Sequence, residues 1–175
     1  MKTFIIAALT ADGFIAKDSR HTSTEWTSKA DKKRFVELTK AAGVIVMGSS
    51  TFKTINRPLS DRTIIVYSRN SKFEMEGVET TQLPPQELLK SLEERGFKSV
   101  AICGGSQIYT MFMKAGVVDT LHLTIEPHLF GKGVPLFNDD MLYHLTLKSV
   151  AQSESSGAIV IEYAVDYSGN PKMTE

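Results

Sequence analysis

At residues 101–109 the chain reads Ala-Ile-Cys-Gly-Gly-Ser-Gln-Ile-Tyr. A short apolar run, 99–103, meets two consecutive glycines, and an amphipathic run then continues to Ala115. This order predicts a strand, a tight turn and a helix, with glycine where side chains would block a close approach of the backbone. The first turn of such a helix has free N–H groups that attract phosphate, although a plain strand-to-helix turn explains the same residues.

The composition is that of an ordinary soluble globular protein. Of the 175 residues, 42% are hydrophobic and 23% are charged, and 20 basic residues balance 20 acidic ones. No net charge recruits nucleic acid or an anionic membrane, and a single cysteine suits a reducing cytoplasm. We therefore expect a cytoplasmic protein, a monomer or homodimer, with one domain over residues 1–167 and a flexible tail over 168–175.

The pattern of the chain predicts an α/β fold. The apolar run 3–9 is too short to span a membrane and has the pattern of a buried first strand. The remaining elements predict a single three-layer α/β/α domain, with a mostly parallel twisted sheet and an antiparallel hairpin at its C-terminal edge. Further strands are predicted at 44–47, 63–67, 78–81, 99–103 and 120–126, and helices at 28–42, 86–95 and 106–115. Another short helix is predicted to open at 49–51 and to be broken by the turn at 57–59. A loop is predicted at 130–135, and a closing hairpin at 145–152 and 158–165.

Three loops follow directly after predicted parallel strands. They begin at Gly48, Ser68 and Gly104, so they should border one crevice at the carboxyl ends of the strands. Hydroxyls at 49–51, the guanidinium of Arg69 and the turn at 104–105 are each a candidate anion site, and together they suit a dinucleotide better than a single phosphate. Taken alone, each is also explained as a helix cap, an exposed arginine or a plain turn.

Asp31 is the most informative single residue. On a helix it shares one face with Phe35, Leu38, Thr39 and Ala42, so a carboxylate heads a largely apolar stripe. Burial against such neighbours raises the pKa of a carboxyl group and allows proton exchange near neutral pH. The alternative is that Asp31 belongs to a capping box with a serine three residues earlier.

Other kinds of site are not indicated. The spacing of the four histidines suggests no metal site, and the chain has no Gly-x-Ser-x-Gly elbow and no Walker-type loop. Cys103 has no neighbouring base in the sequence, so packing at a strand end is the expected role of its thiol.

An ordered set of these residues resembles the dihydrofolate reductase family over most of the chain. Trp26 followed by Asp31, Phe35 and Thr39 matches the tryptophan, acidic residue, phenylalanine and threonine of that family. The same holds for the blocks at 6–15, 46–59, 65–69 and 104–109, and for Arg62 and Thr124.

The resemblance implies NADPH as cofactor, dihydrofolate or a related pterin or pyrimidine as substrate, and a cis peptide bond between Gly104 and Gly105. Asp31 and Trp26 would be the catalytic residues, with Asp31 binding the pterin and raising the basicity of its protonated nitrogen and Trp26 ordering a water. The substrate would contact Ile6, Ala8, Asp31, Phe35, Ile55, Leu59, Arg62, Cys103, Tyr109 and Thr124. The cofactor would contact Ala8, Ile15, Gly48, Ser49, Ser50, Thr51, Ser68, Arg69, Cys103, Gly104, Gly105, Ser106, Gln107, Ile108 and Tyr109.

The chain also departs from the family pattern. Ala16 replaces a usual glycine, the stretch between Ile15 and Trp26 is longer, and Ser49 stands where a basic residue is frequent. The segments 12–16 and 127–136 are more similar to the related reductases of riboflavin synthesis, which use the same cofactor on a phosphoribosylamino-pyrimidine. A riboflavin-pathway reductase is thus the alternative function, and a non-catalytic nucleotide-binding module is a second.

Overall fold

The computed structural model describes residues 1–168 apart from 19 and 71. Four helices occupy the positions expected from the sequence: α1 (Lys29–Ala42), α2 (Ser49–Ile55), α3 (Pro85–Glu94) and α4 (Ser106–Lys114), and a 3-10 turn covers Ser23–Glu25. The strands are β1 (Lys2–Thr10), β2 (Phe14–Ala16), β3 (Val44–Gly48), β4 (Thr63–Tyr67), β5 (Val78–Thr81), β6 (Ser99–Ile102), β7 (Thr120–Glu126), β8 (Val134–Pro135), β9 (His144–Gln152) and β10 (Ile159–Asp166).

The main sheet has eight strands in the order β5-β4-β3-β6-β1-β7-β10-β9. The first six of these pair in parallel, and β10 pairs antiparallel with both β7 and β9. The mostly parallel α/β fold with an antiparallel C-terminal hairpin is therefore confirmed. Because β4, β3 and β6 are neighbours, their carboxyl ends lie side by side.

Alternate residues of the central strand divide the core between two faces of the sheet. Ile5, Ala7 and Leu9 belong to an apolar cluster that includes residues of α3 and α4, whereas Ile6 belongs to a second cluster with residues of α1 and α2. Phe112 and Phe52 are fully buried in the first and the second cluster, respectively. Burying a side chain of this size stabilises a fold by about 1.5–3 kcal/mol, so both faces contribute to holding the helices on the sheet.

The predicted loop at 130–135 is wrong in part, because its end forms a strand. Val134 and Pro135 pair antiparallel with Phe14–Ala16 in a separate two-stranded sheet. The Asp12 carboxylate fixes this arrangement: it accepts backbone N–H bonds from Phe130 and from Gly131 (2.6 Å for Gly131). The strand at 134–135 is only two residues long and pairs with residues more than a hundred positions earlier. The local sequence therefore has no pattern that predicts it.

Smaller differences concern the ends of the chain elements. Helix α3 begins at Pro85 and ends at Glu94, one residue earlier at each end than expected, because proline is well suited to the first position of a helix. Ser168 donates both its N–H and its hydroxyl to the Asp166 carboxylate, and the rest of the predicted tail, 169–175, lies outside the described residues. In the described part of the chain, no helix is both long and apolar enough to cross a membrane.

Candidate active site

The backbone at the ends of β3 and β6 forms the first wall of the site. The Gly48 N–H donates to the Gly104 carbonyl oxygen at 2.8 Å, which joins the two loops. The peptide bond between Gly104 and Gly105 is cis, as the family resemblance predicts. Gly104 has a φ of +105°, and a Cβ there would lie 3.1 Å from the hydroxyl oxygen of Tyr109, so only glycine fits without strain.

Helix α4 begins directly after these glycines. Gly105 is its N-cap, and its carbonyl accepts the N–H groups of Ile108 and Tyr109. The hydroxyl of Ser106 is buried and has no hydrogen-bond partner among the described residues. A side chain at position 105 would also meet the Thr51 hydroxyl oxygen at 3.3 Å. This close-fitting glycine turn, with an unpaired hydroxyl and free helix N–H groups, has the chemistry to hold a phosphorylated cofactor.

A second candidate anion site lies at the end of β4. Ser68 is buried there, Arg69 is exposed, and both line a cavity of about 480 Å³. Lys72 lines the same cavity and was not singled out from the sequence. The Arg69 backbone carbonyl accepts a bond from the side chain of Gln82, the residue that follows β5, so this loop is tied to the end of that strand. The cavity thus has two cations for an anionic group, and the acidic side chain of Glu74 lines it as well.

Asp31 lies in the first turn of α1 and is 9% exposed. Burial raises the pKa of its carboxyl group above the ordinary value, hydrogen bonds with Thr124 and Thr27 act in the opposite direction, and the charge of Glu126 raises it further. The buried environment therefore favours the protonated form of Asp31 more than that of an exposed aspartate.

The two explanations of Asp31 are distinguished by its backbone neighbours. Ser28 is the N-cap of α1, and its hydroxyl accepts the Asp31 backbone N–H at 3.2 Å. In a full capping box, the Asp31 carboxylate would in return accept the Ser28 N–H. That N–H instead donates to the Glu126 carboxylate at 2.8 Å, so only half of the capping box is present. The Asp31 carboxyl group is left to bond with threonines of the site.

Glu126 is the residue of this region that sequence reasoning missed. It is 1% exposed although it is a carboxylate, and it lies at the end of β7. The sequence shows that Glu126 lies on the face of β7 opposite to Leu121, Leu123 and Ile125. The polar face of an alternating strand is usually exposed to solvent, so burial of Glu126 was not expected. Only the tertiary contact with α1 shows that this face is covered.

Most of the predicted substrate residues lie together on the α1 face of the sheet. Ile6 is buried, and Ala8 pairs with Thr124 in the β1–β7 ladder, which brings it to the same region as Asp31. Cys103 donates its thiol to the Ala101 carbonyl at 3.6 Å, and burial raises the pKa of that thiol. One apolar cluster contains Ile6, Phe35, Ile55, Leu59 and Cys103.

Tyr109 joins the two sides of the site. Its hydroxyl donates to the Ile6 carbonyl oxygen at 2.8 Å, and burial raises the pKa of this phenol well above its ordinary value. Ile15, Ile108 and Tyr109 belong to the apolar cluster on the α3–α4 face. Tyr109 therefore links the glycine turn of α4 to the strand that carries Ile6 and Ala8.

Trp26 belongs to an aromatic group at the rim. Its ring lies 5.1 Å from that of Phe130 and 6.2 Å from that of His128, both in edge-on contacts, and it stacks with His21. The indole N–H is buried without a partner in the described part of the chain. These contacts tie the loop before α1 to the segment 128–130, which closes one end of the site.

Arg62 lies just before β4 and contacts the second half of α1. Its guanidinium donates to the hydroxyl of Thr39 at 2.9 Å and to the carbonyl of Ser60. Thr39 is eight residues after Asp31, which corresponds to about 12 Å along a helix. The distance suits a substrate that extends along α1 with an anionic end.

Not every predicted cofactor residue is buried beside these groups. Ser50 and Gln107 are exposed, and Ser49 and Thr51 are partly exposed in the first turn of α2.

Among the described residues there is no group of three or more acidic, histidine or cysteine side chains arranged to hold a metal ion.

Comparison with known proteins gives the family. A model of the family described as dihydrofolate reductase matches residues 2–155. The dihydrofolate reductase type 3 of Salmonella typhimurium is 36% identical over 122 residues, which is 69% of this chain and 68% of that protein. The chain therefore belongs to the dihydrofolate reductase family.

Solved structures with this fold include both riboflavin biosynthesis proteins and dihydrofolate reductases. A putative riboflavin biosynthesis protein from Shewanella sp. PV-4 has a TM-score of 0.78 and 21% identity, covering 95% of this chain and 99% of that one. Dihydrofolate reductase from Enterococcus faecalis, solved in complex with NADP(H) and RAB-propyl, has a TM-score of 0.74 and 23% identity, covering 94% of this chain and 96% of that one. At these identities the likeness concerns the fold, and the particular reaction is a separate question.

Proposed function

We propose that this chain reduces 7,8-dihydrofolate to 5,6,7,8-tetrahydrofolate with NADPH as the hydride donor. The observation that carries the proposal is the environment of Asp31: a buried carboxyl group, bonded to Thr27 and Thr124 and released from capping by Glu126. A non-catalytic nucleotide-binding module would have no use for a desolvated acid beside an apolar cluster. The name of the Salmonella relative supports the same substrate.

Asp31 would bind the amino-pyrimidine edge of the pterin. A carboxylate at that edge accepts two N–H bonds from the ring and favours a proton on it, so the ring nitrogen that must be protonated becomes more basic. Thr124 would hold the carboxyl group in the plane of the ring. Trp26, whose indole N–H is buried and unpaired among the described residues, would order a water near this edge.

The walls of the site would hold the two reactants against each other. Phe35, Ile55 and Leu59 would contact the aminobenzoyl part of the substrate, and Arg62 would pair with the carboxylate of its tail. Ile6, Ala8 and Cys103 would line the floor beneath the pterin. Most of the rate increase would come from this orientation and from the exclusion of water by the apolar cluster.

The glycine wall fits the cofactor. Gly48, Gly104 and Gly105 leave room for close approach, Ser106–Tyr109 offer N–H groups and a hydroxyl, and Arg69 would pair with the 2′-phosphate. Ala8 and Ile15 would border the nicotinamide, and the hydroxyls of Ser49–Thr51, the buried Ser68 and the side chain of Gln107 would complete the contacts. When bound, NADPH supplies the hydride, and the chain supplies its position.

The second candidate is an NADPH-dependent reductase of a phosphoribosylamino-pyrimidine in riboflavin synthesis. The pairing of β2 with β8, in segments that resemble those reductases, favours it, as does the name of the Shewanella protein. A substrate phosphate would then be paired with Lys29, Lys32, Arg57 or Arg62.

A spectrophotometric assay separates the candidates. Loss of NADPH absorbance is followed with dihydrofolate and, in parallel, with the phosphoribosylamino-pyrimidine, each with and without an antifolate. Turnover of dihydrofolate that the antifolate abolishes supports the first proposal. Turnover of the pyrimidine alone makes the second proposal correct, and NADPH binding without turnover of either substrate would leave only a nucleotide-binding module.

A further inference from the structure

Glu126 is a buried carboxylate that the proposed mechanism does not use. It is 1% exposed at the end of β7, and its Oε1 accepts the Ser28 N–H at 2.8 Å. A buried charge is costly unless it is paired or hydrogen-bonded, and a hydrophobic residue at the same position would avoid that cost. Such a group calls for a role beyond packing.

Its position belongs to a wider pattern between α1 and β7. Residues on the α1 face of β7 each contact α1, in reverse order: Glu126 bonds with Ser28, Thr124 with Asp31, and His122 with Arg34 (Nδ1 to Nη2, 3.0 Å). Three residues along a helix cover about 4.5 Å and two along a strand about 6.7 Å, so successive pairs are offset by only about 2 Å, which the side chains can span. The result is a polar seam beneath the candidate site.

Glu126 lies at the end of the polar seam that is next to the start of α1. The Ser28 N–H lies just before the helix and would otherwise be the partner of the Asp31 carboxylate in a capping box. With that N–H occupied by Glu126, the Asp31 side chain is free of its own helix. The negative charge of Glu126 is also suited to the positive end of the helix dipole.

We propose that Glu126 is a positioning residue for Asp31: it accepts the Ser28 N–H that the Asp31 carboxylate would accept in a capping box, leaves the Asp31 carboxyl group directed at the substrate, and places a second negative charge near it. This inference rests on the proposed reductase function. It adds a residue of β7 to an acid site that otherwise consists of Asp31 and its threonines.

Other charged groups near Asp31 cannot replace this role. Lys32, its neighbour on α1, is exposed and lowers the pKa of Asp31. Tyr109 of α4 faces Asp31 as a neutral phenol, because burial raises its pKa far above neutral pH. The charge of Glu126, from β7, acts on Asp31 in the same direction as burial. Glu126 is thus the partner whose removal should make Asp31 a stronger acid.

The test compares Glu126→Gln with Glu126→Leu. The glutamine keeps the shape and a carbonyl that accepts the Ser28 N–H but has no charge, whereas the leucine removes both. Glu154→Gln, at an exposed position, is the matched control. The aspartate side-chain carboxyl carbons are labelled with ¹³C, and Asp31 is assigned by the loss of its signal in Asp31→Asn.

In Glu126→Gln we expect the titration midpoint of Asp31 to fall by about 0.5–1 pH unit, with no change in the control. Hydrogen exchange of the Ser28 amide should stay slow in Glu126→Gln and become about tenfold faster or more in Glu126→Leu. An unchanged Asp31 midpoint in Glu126→Gln, or equal Ser28 exchange in wild type and Glu126→Leu, would overturn the proposal. If the leucine variant does not fold, the titration of the glutamine variant decides alone.

A kinetic measurement links this inference to the reaction. In Glu126→Gln, the pH at which turnover falls by half should move to lower pH, as the titration midpoint of Asp31 does. In Glu154→Gln, this pH should equal that of the wild type. If the wild type turns over neither substrate, the proposed function fails, while the titration of Asp31 in the free protein still decides the role of Glu126.

Discussion

The two walls of the candidate site are built from different material. On the side assigned to the cofactor, the backbone of Gly48, Gly104 and Gly105 and the start of α4 form the surface. On the side assigned to the substrate, buried side chains of α1 and β7 form it, held by the polar seam that Glu126 begins. The first wall offers N–H groups and space, and the second offers a buried carboxyl group and an apolar surface.

This difference determines what a mutation can do. On the glycine wall a new side chain must displace atoms, so the expected effects are steric and concern binding. On the polar seam a substitution of equal size can leave every atom in place and still change charge and proton affinity. The following predictions test this contrast.

The largest effect is expected for Asp31→Asn. The change keeps the shape of the side chain but removes the acid, so turnover of dihydrofolate at pH 7 should fall by about 10²–10³-fold. It should recover in part below pH 6, where protonated substrate becomes available, and NADPH affinity should stay nearly the same. Steady-state kinetics over pH and fluorescence titration with NADPH measure both quantities.

Asp140→Asn, an exposed aspartate, is the control and should behave as the wild type. Unchanged turnover in Asp31→Asn would mean that Asp31 only caps α1. The substrate wall would then differ from the glycine wall in structure but not in chemistry.

The glycine wall is tested by Gly104→Ala against Gly96→Ala. Both glycines have φ near +100° (105° and 93°), but a Cβ at 96 has no heavy atom within 4 Å, whereas one at 104 meets the Tyr109 hydroxyl. We expect a loss of about 1 kcal/mol in the free energy of unfolding for Gly96→Ala and about 2–4 kcal/mol for Gly104→Ala. Only the second change should also weaken NADPH binding. Urea denaturation and cofactor titration give the comparison, and equal losses in the two variants would mean that the contact with Tyr109 has no energetic weight.

How much the sequence reveals also differs between the two walls. The glycine wall is local: a glycine directly after a buried strand marks a turn, and parallel strands bring such turns to one edge, so Gly48 and Gly104 could be placed together. The same reasoning gave α1 and its apolar stripe with Asp31 at the head. Local patterns were sufficient wherever a single element and its neighbours decide the outcome.

The polar seam could not be read in this way. Ser28 and Glu126 are 98 residues apart, and nothing in the alternation of β7 shows which of its faces is covered by a helix. The β8 strand was missed for a similar reason, because two residues give no period and the Asp12 clamp acts over more than a hundred residues.

Arg69→Ala examines the charged part of the cofactor wall. The guanidinium is exposed beside the cavity at the end of β4, where it can pair with a 2′-phosphate. We expect NADPH affinity to fall by about tenfold and NADH affinity to change little, because only NADPH carries that phosphate. Arg57→Ala, in the exposed loop after α2, is the control. Equal losses for the two cofactors would place the 2′-phosphate elsewhere.

The smallest effect concerns stability and the sign of its pH dependence. Because burial raises the pKa of Asp31 in the folded state, the wild type loses stability as the pH rises from the unfolded value through the folded one. Asp31→Asn lacks this loss, so at pH 8 the variant should be more stable than the wild type by about 1 kcal/mol, and the advantage should shrink toward pH 4. Urea denaturation at several pH values measures it, with Asp140→Asn expected to show no difference at any pH. A variant less stable than the wild type at pH 8 would mean that the seam satisfies the ionised carboxylate. Asp31 would then have a structural role, and both walls of the site would contribute to binding but not to proton chemistry.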